Sequence, residues 1–201
     1  WTYFAEYMPG HRYAVGADPS EGVGRNNSAI VVWDFDAREK GFHKPQVVAT
    51  FLSNRIPPDR LAYEIRNVAV RFGNCIVAPE RNNHGHATIA ILKQIYPNNL
   101  YYEQRGEYLI DKRTEKIGWH TNSSSKPKML YDLKTIIDEE LINIPDERLI
   151  RELRSYPARD LDELKFDEDK EMHWDLVVAC SIGWQMRNFA MPGLSIDKEK
   201  E

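Results

Sequence analysis

The 201-residue chain contains no apolar stretch that approaches the roughly 20 residues of a membrane-spanning helix. Its N-terminus has no basic segment followed by an apolar one, which is the pattern of a secretory signal. It has only two cysteines, Cys75 and Cys180, and both lie within apolar runs, so we expect buried free thiols. These absences exclude a disulfide-stapled secreted domain and predict a protein without a membrane partner, in a reducing compartment.

Positive charge is also scarce. The 27 Lys and Arg residues are outnumbered by 31 Asp and Glu, and the net charge of -4 argues at first sight against a nucleic-acid-binding protein. The average conceals an asymmetry, because residues 105–128 carry six Lys or Arg against three Asp or Glu, whereas residues 129–175 carry seven against fifteen. A solvated surface with local charge fluctuation is the simplest explanation. A polyanion would nevertheless have one place to bind, at residues 105–128.

A nucleotide-binding loop is missing as well. The chain has no G-x-x-x-x-G-K-[ST] motif, whose backbone cradles nucleotide phosphates. Gly22-Val23-Gly24 is too short a match and is typical of a turn. We therefore expect no ATPase motor within this chain.

The composition is that of one soluble globular domain. Hydrophobic residues make up 42% of the chain and charged residues 29%, and the length is sufficient for a substantial core. Residues 1–12 begin no regular element, so we expect a linker from an upstream domain that this chain does not contain. We expect one domain over residues 13–190 and a charged tail over residues 191–201.

A short apolar segment that ends in a carboxylate is the main feature of this domain. Residues 75–80 read Cys-Ile-Val-Ala-Pro-Glu between turn-forming residues, which is typical of a strand buried on both faces. Pro79 donates no backbone hydrogen bond, so it is expected at the strand's exit. Glu80 is then at the carboxyl end of a central strand, where open α/β sheets bind their ligands.

Residues 13–18 have the same construction and end at Asp18. Strict alternation places Asp18 on one face with the small residues Ala14 and Gly16, so another element could approach this carboxylate closely. The two segments are therefore expected to deliver two acids to one edge of a sheet.

The remaining pattern predicts a mixed α/β sheet flanked by helices. Strands over residues 13–18, 28–34 and 46–52 are joined without helices, which predicts an antiparallel meander. A helix from Pro57-Pro58 to Phe72 then makes the strand that ends at Glu80 parallel to the first strand. Further helices are predicted from Gly85, from Ser125 with that residue as N-cap, after the N-cap Asp146, and from Trp174 to Phe189. A short strand is predicted at residues 100–103, followed by a hairpin over residues 107–119 with its turn near 112–114.

A third acid lies in the first turn of the last predicted helix. Alone, Asp175 is explained by its favourable interaction with the helix dipole, and either strand-end acid could be a cap or an ion-pair partner. Together, Asp18, Glu80 and Asp175 form an oxygen-rich set that suits magnesium or manganese. Two such ions about 4 Å apart activate a water and stabilise the leaving oxygen in phosphodiester hydrolysis.

The order β-β-β-α-β-α-β, with acids on the first strand, the fourth strand and a late helix, resembles the ribonuclease H-like superfamily. More narrowly, the chain is similar to the nuclease domain of the large terminase subunit of tailed bacteriophages. The similarity extends from about Tyr13 to Met186 and is carried by the motifs Gly16-Ala17-Asp18-Pro19, Ser28-Ala29-Ile30-Val31-Val32, Pro79-Glu80-Arg81-Asn82-Asn83-His84-Gly85, Ile117-Gly118-Trp119-His120-Thr121, Ile150-Arg151-Glu152-Leu153 and His173-Trp174-Asp175 with Val177-Val178-Ala179-Cys180.

This resemblance implies a metal-dependent endonuclease that cuts concatemeric viral DNA during genome packaging, in the host cytoplasm. It implies Asp18, Glu80 and Asp175 as catalytic metal ligands for two magnesium or manganese ions. The implied partners are double-stranded DNA, an upstream ATPase domain of the same full-length protein, the portal and the small terminase subunit. One departure stands out, since many relatives carry two successive acids after the histidine and this chain has Trp174 at the first. If that acid helps to hold the second metal ion, this chain either functions without it or recruits another acid from residues 160–171.

Two alternatives remain open at the level of sequence. Another ribonuclease H-like nuclease, such as a junction resolvase or transposase, would perform the same chemistry. A non-catalytic docking module would use the acids only to solvate a strand edge. If the chain is a nuclease, the basic residues 105–128 are expected to form one wall of a DNA groove. Contacts with backbone phosphates are expected through Arg113, Lys116, Lys126 and Lys128.

Overall fold

The computed structural model describes residues 1–24, 26–103, 116–156 and 174–193. Its centre is a five-stranded sheet with the strand order β1-β6-β3-β2-β7, and β4 and β5 pair separately with each other. The strands are β1 (Thr2–Tyr3), β2 (Tyr13–Asp18), β3 (Ser28–Asp34), β4 (Arg38–Glu39), β5 (Phe42–His43), β6 (Gln46–Ser53) and β7 (Ile76–Pro79).

The sheet is mixed, as the sequence predicts. β3 is antiparallel to both β2 and β6, because only turns and the small β4–β5 hairpin connect these strands. β7 is parallel to β2, with Val15 beside Val77 and Ala17 beside Pro79, because a helix carries the chain back across the sheet. The predicted α/β fold class, three antiparallel strands followed by a parallel one, is confirmed.

Helices cover both faces of the sheet. They are α1 (Pro58–Arg71), α2 (Gly85–Ile95), α3 (Ser125–Asp138), α4 (Glu147–Ser155) and α5 (Asp175–Gln185), followed by a 3₁₀ turn at Met186–Asn188. On one face α1 and α2 bury aliphatic side chains such as Leu61 and Leu92. On the other face α3, α4 and α5 bury Met129, Leu149 and Ile182 against the same strands. Both faces of β2 and β3 are therefore covered, which explains why their sequences are almost continuously apolar.

Several local predictions differ from the structure, among them the expectation that residues 1–12 begin no regular element, because β1 lies there. α3 follows Ser124 without a side-chain cap, and the hydroxyl of the predicted cap Ser125 instead donates to the carbonyl of His120 at 2.7 Å. The last helix is shorter than predicted and tightens into the 3₁₀ turn. The sequence reading also missed the β4–β5 hairpin. The cap at Asp146 is confirmed, because its carboxylate accepts the backbone N–H of Arg148 at 2.8 Å.

At residues 100–103, where the sequence predicts a short strand, the chain continues the sheet only by isolated bridges. Leu100 lies parallel to Val77, and Tyr102 lies antiparallel to Ile117. The backbone N–H of Glu103 donates to the carbonyl of Lys116 at 3.0 Å. The predicted hairpin turn near residues 112–114 lies outside the described residues.

The first residues pack on the sheet edge. β1 is antiparallel to β6, and the ring of Trp1 lies 5.1 Å from that of Phe51. The predicted division into linker, domain and tail stays a prediction. Within the described part of the chain, none of the helices combines the length and the apolar composition that crossing a bilayer requires.

Candidate metal centre

Asp18 and Glu80 lie side by side at the carboxyl edge of the sheet. Asp18 is the last residue of β2, and Glu80 directly follows β7. The backbone N–H of Glu80 donates to the carbonyl of Ala17 at 2.7 Å, so the parallel pairing continues up to this residue. Because parallel strands end at the same edge, the local sequence pattern is sufficient to bring the two carboxylates together.

Helix α5 brings the third acid, Asp175, to the same edge. It crosses β2 so closely that a Cβ on Gly16 would be 2.1 Å from the carbonyl oxygen of Ala179 and 2.4 Å from the backbone nitrogen of Gly183. The small residues on this face of β2 therefore admit a helix, as the alternation of β2 allows. The carboxylate of Asp175 accepts a hydrogen bond from the side-chain amide of Asn27 at 3.2 Å.

A second asparagine connects the two strand-end acids. The side-chain amide of Asn82 donates to Glu80 at 2.7 Å, and it lies 3.5 Å from Asp18 Oδ1. Its side-chain oxygen accepts the backbone N–H of Gly85 at 2.6 Å, which ties the site to the start of α2. Neither Asn82 nor Asn27 was predicted from the sequence as part of the site. For Asn82 a signal existed, since asparagine just before a helix commonly accepts the free N–H groups of its first turn.

The negative charges of the acids repel one another. The pKa of Asp18 is well above the ordinary value of an aspartate, first because the carboxyl is buried and then because of the charge of Glu80 and a hydrogen bond with it. The charge of Asp175 raises the Asp18 pKa further, and the nearby ammonium of Lys126 lowers it. Glu80 is only 8% exposed. Divalent cations would relieve this crowding, because they neutralise the negative charges of neighbouring carboxylates.

The donor set fits magnesium or manganese in chemistry, although the three acids stand too far apart to share one ion. Within the described ranges, no three His, Cys, Asp or Glu side chains are arranged closely enough to hold a metal ion as they stand. Asp18 and Glu80 are in contact, while Asp175 faces them from α5. Carboxylate oxygens are the ligands that these hard cations prefer.

Trp174, the residue that stands where the resemblance leads one to expect an acid, faces helix α4. Its indole N–H donates to the hydroxyl of Ser155 at 3.2 Å, and its ring lies 5.0 Å from that of Tyr156. Glu152, on the same helix, accepts the backbone N–H of Val177 at 3.1 Å. Burial raises the pKa of Glu152 to about 7, with a smaller contribution from the charge of Asp175 and an opposing one from the Val177 N–H. Residues 160–171, the predicted source of a replacement acid, lie outside the described residues.

The predicted DNA-binding residues have different environments. Lys116 and Lys128 are exposed, whereas Lys126 is only 8% exposed and lies beside the acids. Arg113 lies outside the described residues. Arg81, which was not predicted as a site residue, follows Glu80 and pairs with Glu103 at 2.7 Å. Its other terminal nitrogen is buried without a hydrogen-bond partner.

Comparison with known proteins supports the fold. No family model matches the chain, and no match is found among curated proteins. Among solved structures, the chain is similar to the large terminase nuclease from thermophilic phage G20c with bound magnesium, at a TM-score of 0.66 and 16% identity over 91% of this chain and 85% of that one. The chain is also similar to structures of the same nuclease with bound zinc and with bound cobalt.

Two other nuclease domains have the same architecture. The nuclease domain of the P22 large terminase has a TM-score of 0.57 at 17% identity, over 98% of this chain and 92% of that one. The human cytomegalovirus terminase nuclease domain, soaked in manganese, has a TM-score of 0.55 at 10% identity, over 88% and 84%. The chain therefore has the ribonuclease H-like fold of large terminase nucleases, and the predicted resemblance is confirmed at the level of fold.

Proposed function

We propose that this chain is the nuclease domain of a large terminase subunit and that it cuts concatemeric viral DNA during genome packaging. The observation that carries the proposal is the contact between Asp18 and Glu80 at one sheet edge, with Asp175 near enough for its charge to act on Asp18, in a fold shared with terminase nucleases from two phages and human cytomegalovirus. The DNA is double-stranded, and the setting is the host cytoplasm. An upstream ATPase domain, the portal and the small terminase subunit are the partners that this function implies.

The three acids are proposed as ligands for two magnesium or manganese ions. When bound, such ions activate a water and stabilise the leaving oxygen of the phosphodiester. Asp18 and Glu80 present adjacent oxygens from rigid strand ends, and Asn82 keeps them oriented. Asp175 approaches from α5 with Asn27 against its carboxylate. Zinc and cobalt, which are bound in structures of the G20c nuclease, are also expected to bind to these carboxylates.

Lysines are proposed to place the DNA. Lys126 is buried beside Asp18, so it is positioned to meet a phosphate that enters the site, and its charge offsets the repulsion between phosphate and the acids. Lys116 and Lys128 are exposed and suit the flanking backbone, together with Arg113. Backbone contacts carry no base information, so little sequence preference is expected.

The metal dependence of cleavage is the direct test of this proposal. Magnesium and manganese should support the cutting of plasmid DNA, whereas calcium prefers more ligands at longer distances and should bind without turnover. Gel assays of plasmid cleavage, with calorimetric binding of each cation, measure both. Robust cleavage in excess chelator contradicts the mechanism, and binding of DNA without cleavage in any of these cations favours a docking module. A junction resolvase or transposase would instead require branched DNA or defined ends.

The exposed lysines give a separate prediction for DNA binding. Replacing Lys116 and Lys128 together by alanine should make the negative slope of log affinity against log salt shallower by about two units. Each lost phosphate contact reduces the magnitude of this slope by about 0.9. Fluorescence anisotropy with a DNA duplex across a salt series measures the slope, and manganese affinity should not change. Lys93→Ala is the matched control, since Lys93 is exposed in the last turn of α2. An unchanged slope in the double variant places the DNA elsewhere.

A further inference from the structure

Helix α5 begins without a side-chain cap of its own. Asp175 is its first residue, and the preceding Trp174 makes no side-chain hydrogen bond to the first turn. The first N–H groups of any helix have no partner within the helix, so they need an acceptor from elsewhere when water is excluded. The residues that follow Asp175 in α5 are mostly buried, Leu176 and Val177 among them.

Helix α4 supplies that acceptor from across the interface. The carboxylate of Glu152 accepts the N–H of Val177 at 3.1 Å, over a separation of 25 residues. The last turn of α4 holds the other side of the same helix start, because Ser155 accepts the indole N–H of Trp174 and donates its own hydroxyl to the carbonyl of Glu152 at 2.9 Å. Tyr156 packs against the Trp174 ring. The first turn of α5 is therefore fixed by α4 rather than by its own sequence.

Asp175 depends on this arrangement more than the other two acids do. Asp18 and Glu80 follow strands whose register the sheet sets. The position of Asp175 is set by the first turn of α5, and the hydrogen bond that its carboxylate accepts from Asn27 is 3.2 Å long. A turn that frays or shifts would move the Asp175 carboxylate away from the strand-end acids.

We propose that Glu152 is a positioning residue for the candidate metal centre: it caps α5 from α4 and thereby fixes Asp175 opposite Asp18 and Glu80. This inference rests on the proposed function, because it assigns Glu152 a role in the same site. Glu152 acts by accepting the Val177 N–H. The role therefore depends on a side chain long enough to place an oxygen at this N–H, and not on the negative charge of that side chain.

Three replacements of Glu152 separate reach from charge. Glu152→Gln keeps an oxygen at the same distance and removes the charge, so manganese affinity and cleavage should stay within about threefold of wild type. Glu152→Asp keeps the charge but withdraws the oxygen by one methylene, and Glu152→Ala removes it. Both should weaken manganese binding by about 10–100-fold, the range seen when a residue that orients a metal ligand is lost. They should lower kcat while KM for DNA is unchanged.

The measurements are calorimetric manganese binding, cleavage kinetics and hydrogen exchange of the Val177 amide, which should become faster in Glu152→Asp and stay protected in Glu152→Gln. Glu147→Ala is the matched control, because Glu147 is an exposed acid in the first turn of the same helix. If Glu152→Ala does not fold, the Gln and Asp variants decide the matter alone.

Two results overturn the inference by itself. One is normal manganese affinity in Glu152→Asp while the wild type binds manganese. The other is a Glu152→Gln variant as poor as Glu152→Asp, which would mean that the charge is what matters. Failure of the wild type to bind manganese at all would instead overturn the proposed function, and the inference with it.

Discussion

Replacing Asp18 by asparagine should reduce metal-dependent DNA cleavage to background while raising the melting temperature of the metal-free domain. Asparagine keeps the shape of the side chain but is a weaker, uncharged ligand. Cleavage should therefore fall by more than the roughly 10–100-fold typical for residues that only support a metal ligand. Asp175→Asn should behave in the same way for cleavage.

The gain in stability follows from the raised pKa of Asp18. Burial and the charges of Glu80 and Asp175 make the ionised form of Asp18 unfavourable in the folded state. A carboxyl whose pKa is raised by folding destabilises the protein at every pH above its pKa in the unfolded chain, and this cost disappears as the pH falls below that value, about 3.9. Asp18→Asn removes the cost, so its advantage over wild type should be largest near neutral pH and absent in acid.

Calorimetric melting in chelator and plasmid cleavage in manganese test the two halves of this prediction. A gain of about 1 kcal/mol corresponds to about 2–4 °C in a domain of this size. Asp138→Asn is the matched control, because Asp138 is exposed at the end of α3 and should change neither cleavage nor the metal-free melting temperature by much. Near-normal cleavage by both Asp18→Asn and Asp175→Asn would remove the metal-site assignment.

Replacing Gly16 by alanine should cause a large loss of stability for the addition of a single methyl group. The added Cβ would lie 2.1 Å from the carbonyl oxygen of Ala179 and 2.4 Å from the nitrogen of Gly183. Both are backbone atoms of α5, so no side-chain rotation relieves the overlap. Overpacking of a core typically costs about 1–3 kcal/mol. We expect about 3 kcal/mol, which is a fall of about 6–12 °C in melting temperature.

The same change should weaken metal binding, because α5 carries Asp175 and must move away from β2 to admit the methyl group. Thermal melting and calorimetric manganese binding measure the two effects. Gly41→Ala is the control: it adds the same methyl group in open space, so only its left-handed φ of +86° costs energy, about 1–2 kcal/mol. A Gly16→Ala domain that melts like the wild type and binds manganese normally would show that α5 does not approach β2 this closely.

Local sequence determined the parts of the site that depend on strand ends. One segment ends at Asp18 and the other at Glu80. The apolar strand of the second segment ends at Pro79, because proline cannot donate a backbone hydrogen bond to the neighbouring strand, and Glu80 follows directly. The helix between the two segments makes their strands parallel, so Asp18 and Glu80 meet at one edge. These features depend on period, turn chemistry and connection length, which are properties of short segments. The fold class followed from the same features.

Tertiary structure alone decided how the site is held and which basic residues face it. The hydrogen bond that the Val177 N–H donates to Glu152 spans 25 residues, and the one that Asn27 donates to Asp175 spans 148, so no local pattern indicates either. The sequence grouped Lys126 with Lys128 as a phosphate contact at a helix start, but it did not indicate that α3 packs so that the Lys126 ammonium lies beside the acids. Periodicity shows that a helix has a buried face, but not which neighbour that face meets. The environment of each polar group depends on how distant elements pack, because burial and nearby charge arise only when those elements come together.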